Sequence, residues 1–119
     1  MKRLQILICV LCLGLSAFSQ SFDDLSFGTE STFEVATWNI EWFPKNGQVT
    51  VNYVIDIIEA LDIDLLAIQE VDEINDFEQL VDSLDAYEGY LESSWFAGLA
   101  YIYKTEVMQI DTIYEIYTT

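Results

Sequence analysis

The sequence predicts an α/β fold in which helices cover a mixed sheet, and three observations predict it. Alternation with period two over residues 33–38, in β-branched and aromatic residues, is typical of a strand. Apolar residues at helical spacing follow over residues 51–61, and the unbroken apolar run 65–68 then indicates a strand covered on both faces. Because a right-handed crossover returns the chain to the same edge of the sheet, we expect these two strands to be parallel.

Turn residues separate the first strand from the first helix. Pro44 and the pair Asn46-Gly47 predict a loop within residues 41–49. Thr50 is expected to cap the helix at its N-terminus. The apolar positions of this helix lie on one face, and they are Val51, Val54, Ile55, Ile58 and Leu61.

A second helix and three further strands are predicted after the second strand. Asn75 and, three residues later, Glu78 form a pattern similar to a capping box, which predicts the start of a helix. The amphipathic positions of this helix are Phe77, Leu80, Val81 and Leu84. Strand patterns over residues 87–94, 99–105 and 108–118 are expected to form a meander that follows the two parallel strands.

The N-terminal segment has the three parts of a secretory signal peptide. Met1-Lys2-Arg3 is positively charged, residues 6–15 are apolar, and Ala17-Phe18-Ser19 fits a small-x-small cleavage site. The apolar run is shorter than the roughly twenty residues that span a bilayer, so no stable membrane span is predicted, with a short uncleaved anchor as the alternative. We therefore expect residues 1–19 to direct export to the periplasm or the extracellular space.

Composition limits the kinds of partner that the chain can bind. It has 21 acidic and 4 basic residues, a formal net charge of −17. Cleavage of the signal peptide would leave Lys45 and Lys104 as the only basic residues, and no cysteine for a disulfide or a nucleophile. Unaided nucleic-acid binding uses clustered Lys and Arg, so it is excluded unless metal ions or a further region supply the positive charge.

The composition along the chain also predicts where a domain begins. Residues 20–32 are polar and rich in Ser and Asp, which is typical of a flexible segment, and the domain is expected over residues 33–119. The last predicted strand runs into the C-terminus without a turn signal or a polar tail. Because native proteins normally cover or charge such an edge, we expect this chain to be the first part of a larger domain.

Each of the two predicted parallel strands ends in a polar residue, Asn39 in the first and Glu70 in the second. Parallel strands end at the same rim of a sheet, where open α/β sheets hold their ligands, so the two side chains should lie close together. An amide beside a carboxylate suits a hard divalent cation such as Mg²⁺. The structural alternatives are a strand-end cap for Asn39 and a solvated strand end for Glu70.

The two motifs around these residues, TWNIEWF over residues 37–43 and AIQEV over residues 67–71, resemble the endonuclease/exonuclease/phosphatase superfamily, which includes the pancreatic-type deoxyribonucleases. The resemblance covers residues 33–118 and implies the N-terminal part of a four-layered α/β/β/α sandwich. It also implies hydrolysis of a phosphodiester, in DNA, RNA, inositol phosphates or phospholipid head groups. By the same resemblance Glu70 binds the catalytic Mg²⁺ (or Mn²⁺ or Ca²⁺), and Asn39 takes part in that site by placing the scissile phosphate.

Phosphodiester hydrolysis also needs groups that move protons. The family takes His residues and an Asp-x-Asn pair from the later half of its domain, whereas this chain has no His. We therefore expect the chain alone to be an inactive fragment of a hydrolase. The alternative function is a non-catalytic acidic module that binds divalent cations or a protein partner.

Other residues are weaker candidates for the site. Asp72 would reach the same rim if the second strand continued that far, so it is a further candidate metal ligand. Asp64 is expected to end the turn into that strand rather than to bind metal. The aromatic residues are expected to pack in the core or between sheets, and they are Trp38, Trp42, Trp95, Tyr101 and Tyr103.

Overall fold

The structure is a computed structural model that describes residues 22, 25–26, 28–93 and 97–114. Its elements are β1 (Val35–Phe43), α1 (Gln48–Leu61), β2 (Leu65–Val71), α2 (Ile74–Asp82), β3 (Tyr87–Ser93) and β4 (Gly98–Lys104). The predicted α/β class with a mixed sheet is confirmed. The predicted signal peptide and Trp95 lie outside the described residues.

The four strands form one sheet in the order β1-β2-β4-β3. The pair β1/β2 is parallel, as predicted, and β4 is antiparallel to both of its neighbours. Of the predicted meander, β3 and β4 are antiparallel neighbours, and β4 rather than β3 lies beside β2. The helix α2 packs on β3 at Gly89, where a Cβ atom would lie 2.4 Å from Cγ2 of Val81. This close contact requires a glycine on β3, which is the outer strand on this side of the sheet.

The hydrophobic core lies between the helices and one face of the sheet. Its best-buried members include Val51, Ile58 and Leu80 from the helices and Leu66, Ile68 and Ile102 from the strands. Burial of one such side chain contributes about 1.5–3 kcal/mol, so this apolar face is a major source of the stability of the fold.

No described helix or strand covers the other face of the sheet, although Tyr103 at one end of this face is buried. On it Leu65 and Ala67 are half-buried, while Leu99 and Tyr101 are 56% and 44% exposed. The prediction that β2 is covered on both faces is therefore not met within residues 28–93 and 97–114. We call this surface the open face.

Both predicted helix caps were wrong. In α1 the cap is Gly47, whose positive φ of 58° lets the chain turn into the helix before Thr50. Thr50 lies inside the helix, and its hydroxyl accepts a hydrogen bond from the N–H of Asn46 at 3.1 Å. In α2 the cap is Glu73, and Asn75 lies inside the helix.

Two strand predictions also need correction. The segment predicted as a loop from residue 41 begins with three residues of β1, which reaches Phe43 and pairs it with Val71. Residues 108–114 of the predicted last strand form no strand, and the remainder lies outside the described residues. β4 is hydrogen-bonded on both sides, so a strand that followed it directly would find no free neighbour there. The strands predicted over residues 87–94 and 99–105 are confirmed to within one residue.

Within the part of the chain that the structure describes, no helix has the length and apolar character needed to cross a membrane.

Candidate metal and phosphate site

The C-terminal ends of β1 and β2 lie side by side and bring the two predicted site residues together. The side-chain amide of Asn39 donates a hydrogen bond from Nδ2 to Oε1 of Glu70, over 2.7 Å. Asn39 is exposed and Glu70 is half-buried, so both are accessible from solvent. We call this end of the sheet the Asn39–Glu70 rim.

The orientation of the Asn39 amide is set by its two neighbours. Its Oδ1 accepts a hydrogen bond from the backbone N–H of Glu41 at 3.0 Å, while its Nδ2 faces the carboxylate of Glu70. A flipped amide would place an oxygen against the carboxylate and a donor against the N–H, so only this orientation satisfies both. One of the two hydrogens on Nδ2 is left for a further acceptor.

Glu70 reaches Asn39 because β2 contains a bulge at this residue. Leu66 and Ile68 face the helices, so strict alternation would place residue 70 in the core, whereas Asn39 is on the other side of the sheet. The register shifts between Gln69 and Val71 against both neighbouring strands, and Glu70 has a φ of 66°. Val71 takes the buried position, and the bulge re-aims Glu70 toward the rim.

A left-handed backbone at a residue other than glycine costs about 1–2 kcal/mol, and such strain is concentrated at functional sites. β1 is irregular at the same level, with a φ of 47° at Glu41 and 56° at Trp42. The two irregular strand ends are joined again beyond the bulge, where the carbonyl of Phe43 accepts hydrogen bonds from the N–H groups of Asp72 and Glu73.

The start of β4 lies close to the same rim and requires a glycine. A Cβ atom at Gly98 would lie 1.9 Å from the carbonyl oxygen of Ser93 and 2.8 Å from that of Val71. Only a residue without a side chain allows three strands to approach each other this closely. The backbone around Glu70 is therefore packed on the side of β4 as well as that of β1.

Lys45 brings a positive charge to the loop that leaves β1. Its Nζ lies 2.6 Å from Oε1 of Glu41, and both side chains are more than half exposed. Glu41 is also the residue whose N–H bonds to Asn39. No sequence signal selects Lys45. Its spacing of four from Glu41 would indicate an ion pair on a helix, but residues 41–45 are not predicted to be helical, and no other pattern places the two residues in contact.

The rim offers a divalent cation such as Mg²⁺ one carboxylate beside an amide. Mg²⁺ is often bound by one or two carboxylates, with water and substrate phosphate as the other ligands. Glu70 supplies one carboxylate, and its Oε2 forms no hydrogen bond with the described residues. Among those residues no group of three or more His, Cys, Asp or Glu could hold a metal ion. β2 ends at Val71, so the strand does not carry Asp72 to the rim as that prediction required.

A second polar cluster occupies the opposite rim of the sheet. The Nζ of Lys104 lies 2.7 Å from Oδ1 of Asp62 and 3.6 Å from Oδ1 of Asp64, and it also donates to the carbonyl of Asp62. Asp64 is buried and accepts a hydrogen bond from the N–H of Glu34 at 2.8 Å. As expected from the sequence, it ends the turn into β2. No local signal marks Lys104 as a buried residue, since its burial depends on the neighbours of β4.

The environment of this cluster shifts three pKa values. The hydrogen bond from the Glu34 N–H holds the pKa of Asp64 below its usual value, with help from the charge of Lys104 and against the effect of burial. Burial raises the pKa of Tyr87 to about 12, and its hydroxyl has no hydrogen-bond partner among the described residues. Burial would lower the pKa of Lys104, but the hydrogen bond to Asp62 and the nearby negative charges raise it overall.

The aromatic residues fall into two groups. Trp38 packs against the core, and Tyr103 is buried and donates a hydrogen bond from its hydroxyl to Glu88 at 2.8 Å. Tyr101 is exposed on the open face, so it does not pack in the core, and packing between sheets stays a prediction. The predicted packing was wrong for Trp42, which is 52% exposed. The left-handed backbone at Trp42 turns this side chain out of the alternation of β1.

No protein-family model matches this sequence, and no curated protein is significantly similar to it. The resemblance to the endonuclease/exonuclease/phosphatase superfamily therefore depends on the two motifs at residues 37–43 and 67–71.

Proposed function

We propose that this chain supplies the metal- and phosphate-binding part of an exported, Mg²⁺-dependent phosphodiester hydrolase of the endonuclease/exonuclease/phosphatase type. The observation that carries the proposal is the bulge at Glu70, which takes a carboxylate out of the core-facing register and joins it to Asn39. A fold that needed only a regular strand end here would have no reason to keep a glutamate in a left-handed conformation.

The two side chains have complementary roles in this proposal. Glu70 would hold the metal through its carboxylate, and Mg²⁺ when bound would offset charge on the phosphoryl oxygens. Asn39 keeps one amide hydrogen for a phosphoryl oxygen while the other stays on Glu70. An amide at this position orients the phosphate without adding a second negative charge beside the first.

The N-terminus of α1 supports anion binding at the same rim. Only residues 44–47 separate the end of β1 from the start of this helix. Its first turn has no acidic residue, and no side chain caps it. The partial positive charge of the helix N-terminus is therefore not offset by a carboxylate of the first turn, and helix N-termini attract phosphate.

The proposal includes the finer architecture that the resemblance implies. In a four-layered α/β/β/α sandwich a second sheet covers the inner face of the first, and the open face has the exposed apolar residues suited to that role. The groups that move protons would come from the same later part of the domain, because this chain contains no His.

The non-catalytic acidic module is the second candidate function. The observation that favours it is the small donor set, with one carboxylate at the rim and no His in the whole sequence. Such a module would bind a divalent cation at Glu70 without turnover, or a protein partner on the open face. The coding sequence after Thr119 separates the two functions: a later strand ending in Asn-x-His and a later Asp-x-Asn support the hydrolase, and a stop codon supports the module.

The test of catalysis is Glu70→Gln in the full-length product. The substitution keeps the shape of the side chain and removes the charge that would hold the metal, so Mg²⁺-dependent hydrolysis of a phosphodiester should fall by about three orders of magnitude or more while the fold is kept. Asp111→Asn is the matched control, since it removes one carboxylate from an exposed segment after β4. Unchanged turnover in folded Glu70→Gln would place the metal elsewhere.

The metal can be tested without turnover. Mn²⁺ is paramagnetic and should broaden the NMR signal of the Asn39 side-chain amide at low occupancy. Glu70→Gln should abolish this broadening, and Asp111→Asn should leave it unchanged. Broadening that persists in Glu70→Gln would contradict the role of Glu70 in metal binding.

A further inference from the structure

Lys45 is the one solvent-facing lysine or arginine within residues 28–93 and 97–114. Of the two lysines in this part of the chain, Lys104 is buried and held by two carboxylates at the opposite rim. The side chain of Lys45 is 54% exposed and lies in the loop that directly follows β1. An anion approaching the Asn39–Glu70 rim can therefore meet a single mobile positive charge from the described chain.

Hydrogen bonds connect Lys45 to the two site residues. Lys45 bonds to the carboxylate of Glu41, the N–H of Glu41 bonds to Asn39, and Asn39 bonds to Glu70. An exposed ion pair such as Lys45–Glu41 contributes little to stability, because water and salt screen it. The ammonium group is thus free to leave Glu41 for a phosphate oxygen at little cost.

We infer that Lys45 positions the phosphate at the Asn39–Glu70 rim, and that the site takes a small phosphodiester with one anionic group and not a polyanionic strand. The inference rests on the proposed function and names the class of its substrate. Lys45 donates to one non-bridging oxygen, and the free hydrogen of the Asn39 amide donates to the other. The flexible stem of lysine lets its ammonium group follow the phosphate.

The charge of the chain gives the reason for a small substrate. A strand of nucleic acid carries a phosphate at every nucleotide, and proteins that bind it neutralise several of them with Lys and Arg. Here a second phosphate would find no further exposed cation on the described residues, and the sequence has 21 acidic residues to repel it. A diester without flanking phosphates avoids this repulsion.

An NMR titration of the whole chain with dimethyl phosphate at saturating Mg²⁺ tests the role of Lys45. The shift of the Asn39 side-chain amide reports binding at the rim, so no turnover is needed. Lys45→Gln should weaken binding about fivefold, the scale of one partly solvated hydrogen bond to a charged group, and Lys45→Arg should restore most of it. Gln109→Glu is the control with the same change in net charge. It lies at the opposite rim, where the N–H of Met108 bonds to the carbonyl of Lys104.

The outcomes separate this inference from the proposed function. If dimethyl phosphate shifts the Asn39 signal equally in wild type, Lys45→Gln and Gln109→Glu, the site binds phosphate and Lys45 does not position it. If equal weakening is seen in Lys45→Gln and Gln109→Glu, only net charge matters and the inference is wrong. If the Asn39 signal does not respond in wild type, the proposed phosphate site is wrong and the inference falls with it.

The substrate class is tested by replacing dimethyl phosphate with a short single-stranded oligonucleotide. We expect binding no tighter than that of the diester, and affinity that rises with salt concentration because salt screens the repulsion between two polyanions. Tighter binding of the oligonucleotide that weakens as salt is added would show a cationic groove and would overturn the inference.

Discussion

The two rims of the sheet use polar side chains in opposite ways. At the opposite rim Lys104 and Asp64 are buried, and each has a charged or hydrogen-bonding partner. At the Asn39–Glu70 rim the side chains are accessible, and one oxygen of the Glu70 carboxylate has no partner among the described residues. The first arrangement completes a fold, whereas the second leaves bonding capacity for a ligand.

The positive φ angles of the two rims show the same difference. Asp62, with a φ of 51°, ends α1 and donates its N–H to the carbonyl of Ile58 at 3.1 Å, which is a common way to end a helix. Glu70, with a φ of 66°, lies within a strand where no helix end requires it. The positive φ of Asp62 is explained by the end of α1. The positive φ of Glu70 has no such local cause, and its effect is to place the carboxylate beside Asn39.

Of the variants that compare the two rims, Asn39→Ala is expected to have the largest effect. Under the proposed function, the loss of a hydrogen-bond donor to the phosphate should lower turnover of the hydrolase about 100-fold, as for donors that stabilise developing charge in other enzymes. The free energy of unfolding should fall by only about 1 kcal/mol, the scale of one neutral hydrogen bond. Turnover and melting temperature are measured on the same variant.

Thr37→Ala is the matched control for this experiment. Thr37 lies on β1, the same strand as Asn39, and its hydroxyl accepts a hydrogen bond of 2.8 Å from Nε2 of Gln69 on β2. The substitution removes this acceptor and leaves the rim intact. A similar loss of stability with full turnover is expected. If Asn39→Ala behaves in the same way as Thr37→Ala, Asn39 is a strand-end cap and does not belong to the site.

At the opposite rim we expect Asp64→Asn to lower the free energy of unfolding by about 2 kcal/mol, because it removes the charge from a buried carboxylate that has two partners. The carboxylate of Asp62 is exposed, so water and salt screen its ion pair with Lys104. Asn also tolerates the positive φ at this position, and Asp62→Asn should therefore cost less than about 0.5 kcal/mol. Urea denaturation at neutral pH measures both. Equal effects would show that burial does not distinguish the two carboxylates.

The same variant has a pH dependence with a definite sign. The pKa of Asp64 is lowered in the folded state, so its contribution to stability is fully present above the unfolded pKa of about 3.9 and is lost as the pH falls through the folded pKa. The difference in stability between wild type and Asp64→Asn should therefore shrink in acid. A difference that grows in acid would mean that the pKa is raised.

A smaller effect than that of Asp64→Asn is expected from relief of backbone strain at Glu70. Glu70→Gly should be about 1 kcal/mol more stable than Glu70→Ala, because only glycine adopts a positive φ without strain. Both variants lack the carboxylate, so this difference isolates the backbone, and thermal denaturation measures it. If the alanine variant is as stable as the glycine variant, the bulge costs nothing and strain is no argument for function at this rim.

The sequence by itself determined the six helices and strands of the described fold, although it also predicted a strand from residue 108 that residues 108–114 do not form. It also determined the meeting of Asn39 with Glu70 at one end of the sheet. The period of the apolar residues, two in a strand and about 3.6 in a helix, can be read from neighbouring positions of the sequence. A strand-helix-strand unit then leaves the ends of its two strands on the same side of the sheet. Local patterns failed at the caps of both helices, which are Gly47 and Glu73 and not Thr50 and Asn75.

Only the tertiary structure decided how the site is built. The bulge that takes Glu70 out of the core register depends on pairing with both β1 and β4, and on the close approach that Gly98 permits. The burial of Lys104 and the exposure of the open face likewise depend on the strand order β1-β2-β4-β3. Periodicity depends only on residues that are close in sequence. The φ angle of Glu70 and the exposure of Lys104 depend on contacts with residues far along the chain.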